Sequence, residues 1–443
     1  MAKKSVMLVG AALTATAVAV ALSGCGSNNA GGGSGGSGTT ITYLSSQQGP
    51  SVTATATDLK PVIAKFTKQT GIKVNVQVAD WNSLQTKINT SISAGTGPDV
   101  MNIGNTWGPS YQAGGAFTEF TGKNADAIGG LDKFATTALN AGSQADKTSS
   151  PASVPLFGLA YGLYYNKALF KEAGIATPPT TWEEMVADAK KITALGNGKW
   201  GIAIAGNNYT ESIHFAFLTA AQNGGDWYKG EKPTFTSDAN VQGVQRYLDL
   251  MGTDKVVNPA DAQNNDTGAA LVELAQGKAG MVLAQIADST LTSNGMKQGD
   301  WGVTYLPWPE GTPKENQIST FPAGINIAIP KYSKNQSAAL KFVKFMTSEE
   351  AQNDLDKPFT SLPVLKDATP TFTSDTEEAK VFSTAYNTQA KVLPQVKTEG
   401  DFETSVGKAI GGLIQQIASG KKVTTAQIKA ALADAQAQVE ALG

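Results

Sequence analysis

Between Ile72 and Val78, apolar and polar residues alternate strictly, with Ile72, Val74, Val76 and Val78 set against Lys73, Asn75 and Gln77. A period of two is the signature of a half-buried strand. The flanking residues follow another period. Asp58 to Thr70 reads as a helix, with Asp58 able to cap it, Pro61 in its first turn, Val62, Ile63 and Phe66 on one face, and Gly71 as its stop. Thr40 to Leu44 reads as a short strand before it, joined by a loop from Ser45 to Ser51. A second helix over about Ser83 to Ser93 and a strand over Asp99 to Ile103 follow. Strand, helix, strand, helix, strand predicts an α/β layer with parallel pairing.

The texture continues to the C-terminus. Strand-like segments occur at Gly162–Asn166, Trp200–Ile204, Gly280–Ala284 and Gly324–Ile329. Helical patterns cover Lys167–Ala173 and His214–Gln222. Capping boxes at Thr181–Glu184, Thr347–Glu350 and Thr424–Gln427 open further helices, the last with Ile428, Leu432, Ala435 and Val439 on one stripe. No short-period repeat is present. About 400 residues are too many for one core, so two domains are expected.

The N-terminus has a different character. Lys3 and Lys4 precede an apolar run from Val6 to Leu22, and Leu22-Ser23-Gly24-Cys25 closes it. A basic start, a short apolar core and a small-residue cleavage site make a secretory signal peptide over residues 1–24. Cys25 is the only cysteine of 443 residues. Cleavage directly before it resembles the lipobox of bacterial lipoproteins, which implies lipidation of Cys25 as the mature N-terminus. Residues 25–39, rich in Gly and Ser, form a flexible tether that buries no apolar surface. No later run is long and apolar enough to span a bilayer. These features place the mature chain outside the cell, at the membrane only through its N-terminal lipid.

Several functions are excluded by what is scarce. Without Lys3 and Lys4, 33 basic residues face 37 acidic ones, a formal net charge of −4 and no footprint for nucleic acid. There is one histidine, His214, and one arginine, Arg246. A zinc site of His and Cys is nearly excluded, a Ser-His-Asp arrangement could use only His214, and no disulfide can form within the mature chain. No multi-arginine clamp for phosphate or carboxylate exists. Arg246 lies in an amphipathic helical pattern and reads as a surface residue. No phosphate-binding glycine loop is present. No metal, cofactor or catalytic residue is expected, although paired carboxylates keep a glycoside hydrolase open.

Six segments, in order, resemble the extracellular solute-binding proteins of carbohydrate ABC transporters, the family that includes maltodextrin-binding protein. They are Phe66–Val74; Gly95–Val100; Gly162–Lys167 with Leu169-Phe170, Pro178 and Thr181–Glu184; Gly224-Gly225-Asp226; Gly277–Val282; and Ala328-Ile329-Pro330 with Ser333-Lys334-Asn335 and Phe345–Gln352. The resemblance implies a two-lobe periplasmic-binding-protein-like α/β fold, each lobe a mainly parallel sheet flanked by helices. One lobe comprises 40–156 and 322–365 and the other 157–321 and 366–443. Hinge crossings are placed near Leu156–Tyr161, Ser319–Ala323 and Leu362–Asp367, with the ligand between the lobes at the carboxyl ends of strands. It also implies a monomer that captures a sugar and delivers it to the permease subunits of an importer, on the outer face of a Gram-positive cell membrane.

A sugar presents hydroxyls in fixed directions and faces of C–H groups, so its site needs forked polar side chains and aromatic faces. Gln47 and Gln48 after the first strand, Trp81 and Asn82 after the second, and Asn105 and Trp107 after the Asp99 strand fit that mixture. Asn105 stands where the family often carries an Asp, and Trp107 can also be lobe packing. Tyr161 sits at a crossing, and Asn207, Asn208 and Tyr209 form a polar loop. His214 falls where maltodextrin-binding relatives place a stacking aromatic; it can equally be a satisfied helix-end residue. Gln285 and Asp288 follow the Met281 strand, while Ala287 occupies a position where relatives often carry a Trp. Gly324 and Asn326 line the near lobe. Trp182, Trp200 and Trp301 read as core, with Trp227 and Trp308 undecided. Alternatives are a binding protein for a peptide, phosphate or polyamine, a lipid-anchored glycoside hydrolase, or a surface adhesin. A polyamine would require several acids, of which only Asp288 is well placed.

Overall fold

The computed structural model describes residues 38–285, 287–366, 368, 371–373 and 375–442. The segment expected to be a signal peptide, Cys25 and most of the expected tether lie outside the described residues, as does Asp367 at the third expected crossing. Eleven strands are present among them: β1 (Thr40–Ser46), β2 (Lys73–Ala79), β3 (Val100–Gly104), β4 (Val154–Leu159), β5 (Tyr161–Asn166), β6 (Trp200–Ala203), β7 (Tyr228–Lys229), β8 (Lys232–Pro233), β9 (Ala279–Gln285), β10 (Trp301–Thr304) and β11 (Ala323–Ala328). They form two main sheets, β2-β1-β3-β11-β4 and β10-β5-β9-β6, and a small β7-β8 hairpin. Each main sheet is the centre of one lobe of a two-lobed α/β fold, as expected.

The first lobe is built from local crossovers. β1 pairs in parallel with β2 and with β3, linked by the Val52–Thr70 and Trp81–Ala94 helices. This is the arrangement that short right-handed strand–helix–strand units produce. Pairing elsewhere is not mainly parallel. β11 lies antiparallel between β3 and β4, and β5 is antiparallel to both β9 and β10, leaving β6–β9 as the second sheet's parallel pair. The reason is the route of the chain. β4 runs through Ala160 into β5 of the other sheet, and β11 returns after β10 against the direction of its neighbours. The Glu349–Phe359 helix packs on the first sheet's side and Thr376–Thr388 on β5 and β10, so the chain changes lobe again between them.

Local elements follow the sequence with instructive exceptions. Gly71 ends its helix at φ 72°, a left-handed conformation that suits a residue without Cβ, and its N–H bonds back to Thr67. That helix starts at Val52 under a Ser51 cap, well before Asp58, and contains Pro61. Its opening Val-Thr-Ala-Thr-Ala-Thr run buries only Thr55, so apolar periodicity is silent there. The helix expected from His214 likewise starts at Tyr209, capped by Asn208. The Thr181 capping box is complete, and Thr424 and Gln427 form the same reciprocal pair. For the box at 347–350, Ser348 rather than Thr347 is the cap. Arg246 is a packing residue and not a surface one: its guanidinium lies 4.9 Å from the centroid of Trp182 and donates to Thr219 O and Gln222 Oε1. Burial lowers it to about 10. Trp182, Trp301 and Trp227 are buried, whereas Trp200 is half-buried.

Candidate functional site

A cleft of about 600 Å³ opens between the two sheets, at the ends of β1, β3 and β9. The first lobe supplies Gln47, Gln48, Asp80, Trp81, Asn82, Asn105 and Trp107. Asn208, Tyr209, Glu211, His214, Asp266 and Gln285 come from the second lobe, and Phe321 from the segment between β10 and β11. Ten of the fourteen residues expected at the site are therefore in one cavity.

Each wall is shaped by its element's terminus. Gln48 N donates to Thr55 Oγ1 at 3.0 Å, tying the loop after β1 to the start of the next helix. Gln48 Nε2 donates to Ser46 Oγ and Gln47 Nε2 to Gly49 O, so both amide nitrogens hold the loop itself. Asp80 caps the Trp81–Ala94 helix, accepting from Ser83 N at 3.1 Å, and the bond from the Ser83 hydroxyl lowers its carboxyl below the usual range. Trp81 is thus the first helical residue. It is half-exposed, donates through Nε1 to Gln47 O at 2.9 Å, and meets Trp107 edge-on at 5.9 Å. Asn105 donates to Pro322 O at 2.7 Å. Asn208 accepts from Glu211 N, which fixes the start of the helix that carries Tyr209, Glu211 and, one turn on, His214.

Beneath the cleft runs a buried polar chain. Trp107 Nε1 donates to Glu403 Oε2 at 2.8 Å, and Glu403 Oε1 meets His214 Nε2 at 2.9 Å. His214 Nδ1 meets the Tyr161 hydroxyl at 2.9 Å, and that hydroxyl donates to Glu211 Oε2 at 2.9 Å. Burial raises Glu211 above the usual carboxylate range. With both ring nitrogens engaged, His214 offers ligand its C–H surface and not a nitrogen. Trp81 and Trp107 are in the same position, their N–H groups committed and their ring surfaces the part left to contact a solute.

Four expected residues lie elsewhere. Tyr161 is behind the wall, in that chain. Asn207 is exposed and bonded to Asn265. Asn326, in the middle of β11, is buried against Ser153, because its place in a central strand turns it into the lobe. Asp288 is buried beside Tyr164 and Glu378 on another side of the sheet, where burial and the Glu378 charge raise it to about 8. The acids that do line the cleft are Asp80, Glu211 and Asp266, and no Lys or Arg joins them among the described lining residues.

Sequence reasoning missed Asp80, Glu211, Asp266, Phe321 and Glu403. Glu403 had a legible signal. Glu399 and Glu403 stand on the stripe of Phe402, Val406, Ile410 and Leu413, and charges on an apolar stripe are buried ones. Asp80 and Asp266 cap helices, as Asp does routinely, so their sequence context is not distinctive.

Two α/β lobes with a polar and aromatic cleft between them define a binding-protein architecture. The bacterial extracellular solute-binding protein family model matches residues 49–353, and the chain belongs to that family. A diacetylchitobiose binding protein of Streptomyces coelicolor is 26% identical over 298 residues, covering 66% of each chain. A multiple sugar-binding protein of Streptococcus mutans is 26% identical over 328 residues, 70% of this chain and 72% of that one. Among solved structures, an ABC transporter solute-binding protein of Thermotoga lettingae bound with α-D-tagatose superposes with a TM-score of 0.76 at 19% identity, over 90% of this chain and 100% of the other. Among the described residues, no helix is long and apolar enough to cross a membrane.

Proposed function

We propose that this chain is a lipid-anchored extracellular binding protein that captures a sugar or oligosaccharide between its lobes and hands it, unaltered, to an ABC importer. The observation that carries the reading is the composition of the cleft. Indole, phenol and imidazole rings stand beside carboxamides and hydroxyls on walls drawn from both lobes. Rings pack against the C–H faces of a pyranose, and forked amides and carboxylates accept and donate to its hydroxyls. The relatives whose names record diacetylchitobiose and multiple sugars support the same class. Ligand touching both walls binds the closed form better and shifts the population towards it. The lobes comprise 40–156 with 322–365, and 157–321 with 366–443, and the protein acts as a monomer. Cys25 carries the lipid, and a Cys25→Ala chain is expected in the medium instead of the membrane fraction.

A thermal-shift panel of mono- and oligosaccharides tests the reading. A ligand that binds only the folded form raises the melting temperature, by an amount equivalent to about 2.7 kcal/mol at a hundred times its Kd. A panel in which no saccharide shifts the transition contradicts it. Long incubation with product analysis separates binding from hydrolysis, since recovered sugar must be intact. One observation favours a second reading: three carboxylates and no Lys or Arg on the wall suit a cationic solute. Spermidine therefore belongs in the panel, and a shift by spermidine alone favours this second reading.

A further inference from the structure

We propose that Glu403 is the positioning residue that registers the ligand-facing rings of the two lobes, and that the hydrogen-bond network it heads holds one proton more than its members' ordinary forms supply. The inference rests on the reading that the cleft is where the solute binds.

The first part follows from connectivity. Trp107 belongs to the first lobe, following β3, and His214 to the Tyr209–Gln222 helix of the second. Both rings line the cleft, and both are bonded through a ring nitrogen to one carboxylate, which is itself fully buried. Glu403 therefore sets the orientation of a ring on each wall and their position relative to one another. Nearby bonds make the same crossing. Gly400 N donates to Ser110 Oγ at 2.9 Å and Gln395 Nε2 to Ser143 O at 2.9 Å. Glu403 alone among these partners also touches rings of the cavity wall from both sides.

The second part follows from counting protons. Glu403, His214, Tyr161 and Glu211 are joined in series by three contacts, each of 2.9 Å. Each contact needs one hydrogen between its heavy atoms. Two carboxylates, a neutral imidazole and a phenol supply two. The Tyr161 hydroxyl donates to Glu211 Oε2, so Nδ1 of His214 carries a proton for that hydroxyl, and the third proton lies between His214 Nε2 and Glu403 Oε1, on the ring as an imidazolium or on the carboxyl.

The surroundings favour keeping that proton. Glu399 and Asp401 face the network from the helix of Glu403, Tyr209 from the helix of His214, Asp266 from the cap of Thr267–Ala275, and Tyr247 from Asp238–Gly252. Every one of these is acidic or phenolic, and a buried cluster of like charges retains a proton. Burial, reinforced by Glu403, raises Glu399 well above the usual carboxylate range.

His214 is the sole histidine, so ¹⁵N-histidine NMR of the ligand-free chain reports this ring alone. The expected spectrum shows Nδ1 protonated. It also shows the Trp107 indole N–H, identified by its loss in Trp107→Phe, moving with pH at the same midpoint as the ring. Glu403→Gln should abolish that shared titration. Tyr161→Phe cuts the chain at its other end and serves if Glu403→Gln does not fold. It should move the ring's midpoint while the Trp107 signal persists. A ring protonated on Nε2 only, a Trp107 signal indifferent to Glu403→Gln, or an unmoved midpoint in Tyr161→Phe overturns the proposal. These readouts need no ligand, so their failure leaves the saccharide reading standing, and a blank saccharide panel identifies failure of that reading instead.

Discussion

β5 carries two buried tyrosines, and the acid clusters they serve differ in reach. Tyr161 bonds Glu211 and His214 and, through them, Glu403 and Trp107 of the other lobe. Tyr164 bonds Asp288 at 3.4 Å and accepts from Ala287 N at 2.8 Å, with Glu378 nearby. Both clusters place carboxylates out of water, and both raise an acid above its usual range. Only the first lies under the cleft and joins side chains from both lobes. A buried acid is informative about function when its partners come from both walls of a cavity; otherwise it is a feature of one core.

Removing the acids should separate the clusters most strongly. Glu403→Ala leaves Trp107 Nε1 and His214 Nε2 without their partner in the interior, a change that costs about 3–5 kcal/mol when a buried charged partner is lost. Calorimetry should also find affinity for the most stabilising saccharide reduced at least about tenfold, or 1.4 kcal/mol. Asp288→Ala should lower stability by about 1–3 kcal/mol, the cost of unpaired buried polar groups, and leave affinity within about twofold. Equal losses of affinity in the two variants would break the comparison.

A smaller effect concerns pH. Asp288 sits at about 8 in the fold, far above its unfolded value, so the folded state binds more protons than the unfolded chain between those limits. Stability contributed by this group is complete below the unfolded pKa and is lost as pH rises towards about 8. Asp356, raised to about 7, and Asp261, raised to about 8, act in the same direction. Thermal melts should therefore fall from pH 5 to pH 8, with Asp288→Asn falling less steeply by at most about 1.4 kcal/mol per pH unit. A melting temperature that rises over this range contradicts the assignment.

The smallest expected change is at the rim. Tyr209 donates its hydroxyl across the cleft to Gln85 Oε1 at 3.0 Å. Tyr209→Phe should cost about 0.5–1.5 kcal/mol of closed-state stability, seen as a fewfold weaker saccharide affinity. Unchanged affinity means that this bond does not distinguish open from closed forms.

Much of this architecture was legible because it depends on local pattern. The alternation from Ile72 to Val78 specifies a strand, and Thr181 with Glu184 specifies a helix start, whatever lies elsewhere in the chain. Strand ends then locate the cleft, which is why Gln47, Trp81, Asn105 and Gln285 fall in it. What was not legible depends on partners distant in sequence. Asp288 follows the same strand-end logic and Asn326 was placed along a strand facing the cleft, yet Asn326 turns into a sheet interior and Asp288 into a pocket shared with Glu378. Asp80 and Asp266 look like ordinary caps until the fold brings them to facing walls. Glu403 meets Trp107 and His214 across separations of 296 and 189 residues, and no local period reports such a junction. The antiparallel insertion of β11 was hidden for the same reason, since it reflects a return from the other lobe.

Small-angle scattering, with and without the saccharide that most raises the melting temperature, tests the central claim most directly. The account predicts a measurable contraction at saturation and full recovery of intact sugar on dialysis. An unchanged radius of gyration with ligand bound, or recovery of cleaved sugar, would contradict a clamp that closes on its solute and releases it unaltered.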